Sequence, residues 1–403
     1  MFLFKLGDCI IMLTLGIFAD TPRASTGFAV VNNNLAQWLT RLFQHRIRVI
    51  YFARFEIDKG IAPNSSAHMG YEIVSCEGGV WKAEVVEEAI KKYKVDILYS
   101  EDDWWSARGL ITGSKRAGIP FYFMTPIDSL PIQKEAYDVL KECRKVFVPN
   151  GAYKNVPNGI HLPHAVDWMT FRPVRRKAFD KFTFLWIGRD ERRKALGRMI
   201  LAFEKVYKKY DCNLVVRTNW DYTPTSRATG RYIKMRKIPI IRDMMTNCPH
   251  AYLANVYSGC DAYICTSKAG ACEMGILEAQ ACALPVLVTD WTYMNENIVH
   301  GKTGFLIPIS GYDYPQPLDY EGHPDEMGRN VGVPKGRIWG RISVDKLAEK
   351  MIWMLESQKK AWRMGIRGLE HVRKYTWENV AEKFFYTVMD DYERFLREKN
   401  GKK

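Results

Sequence analysis

The 403-residue chain has no C-x-x-C pair, no low-complexity tract, no internal repeat and no apolar run long enough to span a bilayer. The cysteines Cys9, Cys76, Cys143, Cys212, Cys248, Cys260, Cys265, Cys272 and Cys282 are odd in number and scattered through apolar segments. That pattern argues against metal ligation and a disulfide framework, and for reduced, buried thiols in a cytosolic protein. The missing repeats and biased tracts exclude a solenoid and a disordered chain. No zinc finger, basic zipper or interleaving of aromatic with basic residues is readable, which argues against a nucleic-acid-binding module. After Lys5 comes a mostly apolar run, far short of the ~20 residues a membrane helix needs. Asp8 and the strand-like ending "MLTLGIFA" (12 to 19) argue against an export signal, and Met12 is an alternative start.

The chain is too long for one ordinary core, so two domains of roughly 150 to 200 residues are expected, with a cleft between them. Its 47% hydrophobic and 13% aromatic residues supply packed interiors. Lys and Arg number 59 against 45 Asp and Glu, a formal charge of +14. Such a surplus suits a nucleotide phosphate, an anionic lipid head group, a nucleic acid or an acidic glycan, although a solvated basic surface would carry it equally well. The basic residues bunch at 172 to 181, 189 to 194, 231 to 237 and in the tail "REKNGKK".

Hydrophobic periodicity alternates along the chain. Strand-like runs "MLTLGIFA", "RVIYFARF", "DILYS", "PFYFMT" and "KVFVPN" are separated by segments of helical spacing such as "VVNNNLAQWLTRLFQH" and "KAEVVEEAIKKY". Strands joined through helices imply parallel pairing in a doubly wound α/β sheet. A junction with two prolines and a basic cluster fills 160 to 180. A second alternation follows, with strands "FTFLWIG", "NLVVRT", "AYICTS" and "PVLVTD" and a polar stretch at 219 to 231. Residues 311 to 340, rich in Gly, Pro and Asp, read as a long loop, and the remainder reads as helices. The expected fold is two Rossmann-like domains facing one another.

In open parallel sheets ligands sit beyond the C-terminal strand ends, where helix N-termini attract anions. The loop "GRDERRK" after "FTFLWIG" places Arg189 and Lys194, five apart, where both could reach a diphosphate. The segment "GACEMGILEAQACALPVLVTD" offers glycines Gly270 and Gly275 for close backbone approach, and Glu278 at the start of a helix to accept hydrogen bonds from a ribose diol. Taken as structure alone, the first would be a solvated loop and the second a surface glutamate at a helix dipole.

Together these segments resemble the retaining, nucleotide-sugar-dependent glycosyltransferases of the GT-B fold, family 4, also called glycosyltransferase group 1. "GRDERRK" is similar to the family's diphosphate loop, which gives Gly188, Arg189 and Lys194 that role. "LEAQACALPVLVTD" resembles the ribose-binding hallmark, which assigns Glu278, and "NENIVHGKTGFLIP" with Glu296 resembles the segment that follows it. "STGFAVVNNNLAQWL", centred on Gly27, resembles the glycine loop near donor and acceptor, and "IHLPHAVDWMTFRPV" the interdomain segment. Asp128 in "TPIDSLP" falls where relatives place a His or Asp beside the reacting sugar. Two positions depart from the family pattern: Gly270 stands where the first of two glutamates is usual, with Glu273 as a substitute, and Ala165 replaces a glycine.

The resemblance implies an acceptor-side domain at 1 to 172, a nucleotide-sugar domain at 173 to 375 and a helix at 376 to 403 that crosses back. It implies retaining transfer of a hexose from a UDP- or GDP-sugar to an acceptor hydroxyl on a glycan, a lipid-linked sugar or a protein, with no cofactor or metal. The protein would be cytoplasmic, the basic charge offering peripheral contact with an anionic membrane surface. Two other classes stay open on sequence: a GT-B scaffold that binds without transfer, suggested by Gly270, and a nucleic-acid binder or DNA-modifying sugar transferase, suggested by the charge.

Overall fold

The computed structural model describes residues 5–6, 9–10, 12–24, 26–54, 69–76, 81–174, 178–220, 224–244, 250–313 and 338–401. A small antiparallel ribbon, β1 (Lys5–Leu6) with β2 (Cys9–Ile10), precedes the first domain. That domain contains β3 (Leu13–Asp20), α1 (Gly27–Phe43), β4 (Ile47–Arg54), β5 (Glu72–Cys76), α2 (Ala83–Tyr93), β6 (Ile97–Glu101) and α3 (Ala107–Ala117). It continues with β7 (Phe121–Met124), α4 (Lys134–Leu140), β8 (Lys145–Val148) and β9 (Gly159–His161). The seven strands form one parallel sheet in the order β5-β4-β3-β6-β7-β8-β9. Helices cover both faces, which is why β3 reads as a continuous apolar run and is buried along nearly its whole length.

The second domain contains β10 (Phe182–Ile187), α5 (Leu196–Tyr207), β11 (Cys212–Thr218), α6 (Pro224–Arg236), β12 (Ile241–Met244), α7 (His250–Ser258) and β13 (Ala262–Cys265). α8 (Met274–Ala281), β14 (Val286–Thr289) and β15 (Gly304–Ile307) complete a six-stranded parallel sheet, ordered β12-β11-β10-β13-β14-β15. An antiparallel ribbon of β16 (Ile309–Asp313) and β17 (Trp339–Ile342) leads to helices α9 (Val344–Glu356), α10 (Gln358–Val372) and α11 (Trp377–Asn400).

Several elements were not foreseen from sequence. β5, β9, β12 and β15 are only three to five residues long. The polar stretch at 219 to 231 conceals the start of α6, whose inward face is Ser226, Thr229 and Gly230 before any apolar residue, Ile233, appears. Of the expected loop at 311 to 340, residues 314–337 lie outside the described residues, and the flanks pair as β16 and β17.

α11 packs on the first domain. Thr376 caps it by accepting from the Asn379 amide at 3.1 Å. Phe384, Phe385, Val388 and Tyr392 enter the core formed by β3, β4 and α1, and Phe385 stacks on Phe43 with centroids 3.8 Å apart. Tyr122 of β7 and Arg144, just before β8, bind the buried Asp391 carboxylate at 2.9 and 2.7 Å. The basic tail is anchored in part, since Lys399 still belongs to the helix and donates to the Gly118 carbonyl. No helix among the described residues is long and apolar enough to cross a membrane.

The two passages between domains run side by side. Val166 donates to the Tyr375 carbonyl at 3.2 Å and forms a bridge with Thr376, and the Trp168 indole donates to the same carbonyl. Glu296 accepts from the Gly151 amide at 3.0 Å, latching the domains on the far side of β8.

Candidate active site

Each sheet reverses its strand order once, between β3 and β6 in the first domain and between β10 and β13 in the second. Loops diverge at such switch points and leave a crevice beyond the strand ends. Gly27, Arg189, Lys194 and Glu273 all lie on segments that open from these strand ends.

In the second domain the loop after β10 is tied down by its backbone. Gly188 donates to the Arg217 carbonyl, and the Asp190 amide donates to Asn219 at 2.8 Å. The Arg193 carbonyl accepts from the Lys268 amide, which joins this loop to the one after β13. The Thr266 hydroxyl donates to the Lys194 carbonyl and accepts from the buried Trp186 indole. Ala195, capping α5, is held at φ +54, a left-handed conformation that costs a non-glycine residue about 1 kcal/mol or more. Lys194 is thus fixed one residue before a helix N-terminus.

Lys194 Nζ lies 2.5 Å from Glu273 Oε2, and Arg193 Nη1 lies 3.3 Å from Glu273 Oε1. Arg193 also donates to the Ala269 carbonyl at 2.8 Å. Burial alone would raise the Glu273 carboxyl, but Lys194 and Arg193 outweigh it and hold the group below the usual carboxylate range. Arg193, passed over in the sequence because its neighbour completed the motif, is therefore as central as Lys194. Arg189 stands apart at the start of the loop, exposed, with Glu191 at 3.8 Å.

Gly270 explains the position of Glu273. A Cβ at residue 270 would come within 2.7 Å of Glu273 Oε1 and 3.0 Å of Met294 Cγ. The missing side chain leaves room into which the Glu273 carboxylate folds.

α8 begins at Met274, so Glu278 stands one turn inside the helix and not at its first turn. Its Oε2 accepts from the Tyr257 hydroxyl at 3.0 Å. Burial raises the Glu278 carboxyl to about 7, with Asp167 adding to the effect against the lowering hydrogen bond of Tyr257. A Cβ on Gly275 would stand 2.7 Å from the Tyr263 hydroxyl and 3.0 Å from that of Tyr257, so only glycine lets α8 approach these rings.

The first domain presents the opposite wall. Thr26 caps α1 by accepting from the Ala29 amide, and its hydroxyl donates to Asp20 at 3.0 Å. Asp20 in turn holds Arg54 at 2.6 Å, and Arg54 reaches Asp102 at 2.5 Å. These charges end three adjacent strands and lock the rim that carries Gly27, whose nearest neighbour across the cleft is Met274. Asp102, just after β6, is therefore structural. Asp128 accepts from the Ser129 hydroxyl and acts electrostatically on Arg193 of the other domain. Asn150 ties the Asp128 loop to the α8 loop, donating to the Ile127 carbonyl at 3.0 Å and to the Ala271 carbonyl at 2.9 Å.

Two doubly wound domains across a cleft, with the last helix returning to the first, define a GT-B protein. Residues 169–313 match the family model "Glycosyl transferases group 1". No curated protein matches the chain. Among solved structures, sucrose-phosphate synthase from Thermosynechococcus elongatus superposes with a TM-score of 0.73 at 14% identity, covering 95% of this chain and 100% of that one. A glycosyltransferase from Rickettsia africae gives 0.68 at 15% identity, covering 96% and 99%. Anabaena HepE in complex with UDP and glucose gives 0.70 at 11% identity, covering 94% and 100%.

Proposed function

We propose that the protein is a retaining glycosyltransferase that moves a hexose from a nucleotide-diphosphate sugar to an acceptor hydroxyl. The observation that carries this reading is the convergence of Lys194 and Arg193 on one carboxylate at the N-terminus of α8, beyond the switch point of the second sheet. Two fixed cations beside helix N-termini suit a diphosphate leaving group. The group 1 match over this same region, and a superposable protein whose structure holds UDP and glucose, support a UDP- or GDP-hexose as donor.

In this reading Lys194, Arg193 and Arg189 take the charge that builds on the diphosphate as the glycosidic bond breaks. The Glu278 carboxylate accepts from the ribose diol. Glu273, released from its cations by the arriving phosphates, turns to the hydroxyls of the sugar. Asp128 and Gly27 face the donor from the acceptor side, where a glycan, lipid-linked or protein hydroxyl enters. Same-face transfer needs no protein nucleophile, because the departing diphosphate oxygen can take the acceptor proton.

Thermal shift against a panel of UDP- and GDP-sugars, followed by product analysis by mass spectrometry, tests the proposal. Stabilisation by one nucleotide sugar, with its slow hydrolysis or transfer and retention at the anomeric carbon, is the expected result. No stabilisation by any nucleotide sugar would refute it.

A further inference from the structure

The ribbon of β16 and β17 lies across the C-terminal strand ends of the second sheet. The Gly340 amide donates at 2.9 Å to the carbonyl of Lys268, in the loop after β13, and the Trp291 indole, just after β14, donates to the Ile338 carbonyl at 3.2 Å. Lys268 also ties back to the loop after β10, its amide donating to the Arg193 carbonyl at 2.7 Å. Three segments remote in sequence therefore meet beyond the strand ends.

What they bring is basic. Lys268 Nζ lies 2.5 Å from Asp313 Oδ2 and Arg341 Nε lies 3.1 Å from Asp313 Oδ1, so one carboxylate serves two cations. Arg198, near the start of α5, donates through Nε to the Ile342 carbonyl at 2.7 Å and through Nη2 to the Ser310 hydroxyl at 3.1 Å. Both acceptors are neutral, and Arg198 forms no ion pair among the described residues. Arg192, beside Arg193 in the loop, adds an exposed fourth cation. Glu191 of the same loop leans towards Arg189 at 3.8 Å, and Asp345 at the start of α9 pairs with Lys205.

A clasp that only held the ribbon would match cation to anion. Here positive charge is crowded and fixed. Burial lowers the Lys268 ammonium below its ordinary value, Asp313 opposing and Arg192 and Arg198 adding to the fall; burial and Arg341 lower Arg198. An anion relieves such crowding.

We propose that Lys268, Arg341, Arg198 and Arg192 form a second anion site, which holds a phosphate group carried by the acceptor. Guanidinium forks match phosphate oxygens in pairs, and Lys268 supplies a point charge. Arg193 and Lys194 turn to Glu273, whereas Arg192 of the same loop acts on Lys268. An acceptor phosphate thus stands beside the donor diphosphate without drawing on the same cations. A soluble sugar phosphate and a lipid head group present the same phosphomonoester chemistry. The role in transfer rests on the proposed function; the anion site does not.

Calorimetric titration of the whole protein with glucose 6-phosphate, and co-sedimentation with phosphatidic acid vesicles against phosphatidylcholine vesicles, test the site. At least one phosphate should bind, and the arm that binds names the source; binding in neither would overturn the proposal. Arg341→Gln and Arg198→Gln should each weaken that binding at least about tenfold, with Lys268→Gln as the third variant if one does not fold, while Lys194→Ala should leave it unchanged. Full affinity in the folded variants would overturn the site, as would a loss confined to Lys194→Ala, which would put the phosphate on the diphosphate loop. With donor and acceptor identified, inorganic phosphate should inhibit transfer in competition with the acceptor and lose that effect in Arg341→Gln. Competition with the donor instead would overturn the acceptor assignment. A protein that binds the phosphate through these cations yet transfers nothing counts against the proposed function and leaves the anion site standing.

Discussion

Lys194 and Glu273 are 79 residues apart in sequence and 2.5 Å apart in space. Their contact closes the loop after β10 onto the loop after β13, and with Arg193 it builds a site that is partly neutralised from within. A diphosphate entering there exchanges one anion for another. Its affinity is therefore a difference between two ionic contacts.

The first prediction concerns the cations. Lys194→Ala, Arg193→Ala and Arg189→Ala should each cut transfer by at least about tenfold, since charge-stabilising donors in a closed cleft are typically worth that or more. Arg189, exposed in the unliganded protein, should show its loss without any change in melting temperature. Steady-state kinetics with the identified donor checks all three, and unchanged rates would remove these residues from the diphosphate site.

The second follows from the internal anion. Glu273→Gln removes the competitor for Lys194 and Arg193, so nucleoside diphosphate alone should bind roughly fivefold tighter, the effect of about 1 kcal/mol. The sugar-bearing donor should bind more weakly, because Glu273 no longer reaches its hydroxyls. Calorimetric titration with both ligands separates the arms. Parallel changes for the two would mean that Glu273 does not distinguish them.

How much of this was legible in the sequence depended on where the signal lay. The buried parallel strands announced themselves as unbroken apolar runs, and α11 by Phe384, Phe385 and Val388 at helical spacing. The cations were found through a local motif, but the choice between Arg193 and Lys194 was not, since adjacent residues of a loop carry no periodicity. The pairing of Lys194 with Glu273 depends on Gly270 leaving room, a steric fact with no sequence signal. His164 in "LPHAV" meets Glu101 across 63 residues of sequence, a contact that no local pattern signals. Asp20, Arg54 and Asp102 could have been found, because each ends or follows an apolar strand with a charge. α6 stayed hidden because its buried face is serine, threonine and glycine until Ile233.

The third prediction is a pH dependence. Burial raises Glu278 to about 7 in the unliganded protein, above its ordinary value. Accepting from a ribose diol requires the carboxylate, so nucleotide binding must take up the cost of ionising Glu278 wherever the pH lies below that value. Affinity should rise as pH increases from about 6 to 8, by up to about tenfold per unit below the pKa, and then level off. Glu278→Gln should bind more weakly by about 1 to 3 kcal/mol at pH 8 and lose this pH dependence. A pH-independent wild type would show that Glu278 does not meet the ribose.

The last prediction concerns α11. Its Phe384 and Phe385 are buried among residues of β3, β4 and α1, so the helix supplies core to a domain from which it is separated by more than two hundred residues. The ring of Phe385 stacks on Phe43, and Asp391 holds Tyr122 and Arg144 from within the same interface. Phe384→Ala should cost about 3 to 5 kcal/mol, the range for a buried aromatic truncated to alanine. Deletion from Thr376 onward should remove the whole wedge, leave Asp391's partners Tyr122 and Arg144 without their anion, and yield insoluble protein. Deletion of Lys402 and Lys403 alone should be silent, whereas deletion from Lys399 also loses the bond to the Gly118 carbonyl and should lower the melting temperature slightly. Because the passage into α11 runs beside Val166, the helix also holds the two passages between the domains together. A soluble protein lacking α11 with an unchanged melting temperature would contradict the packing.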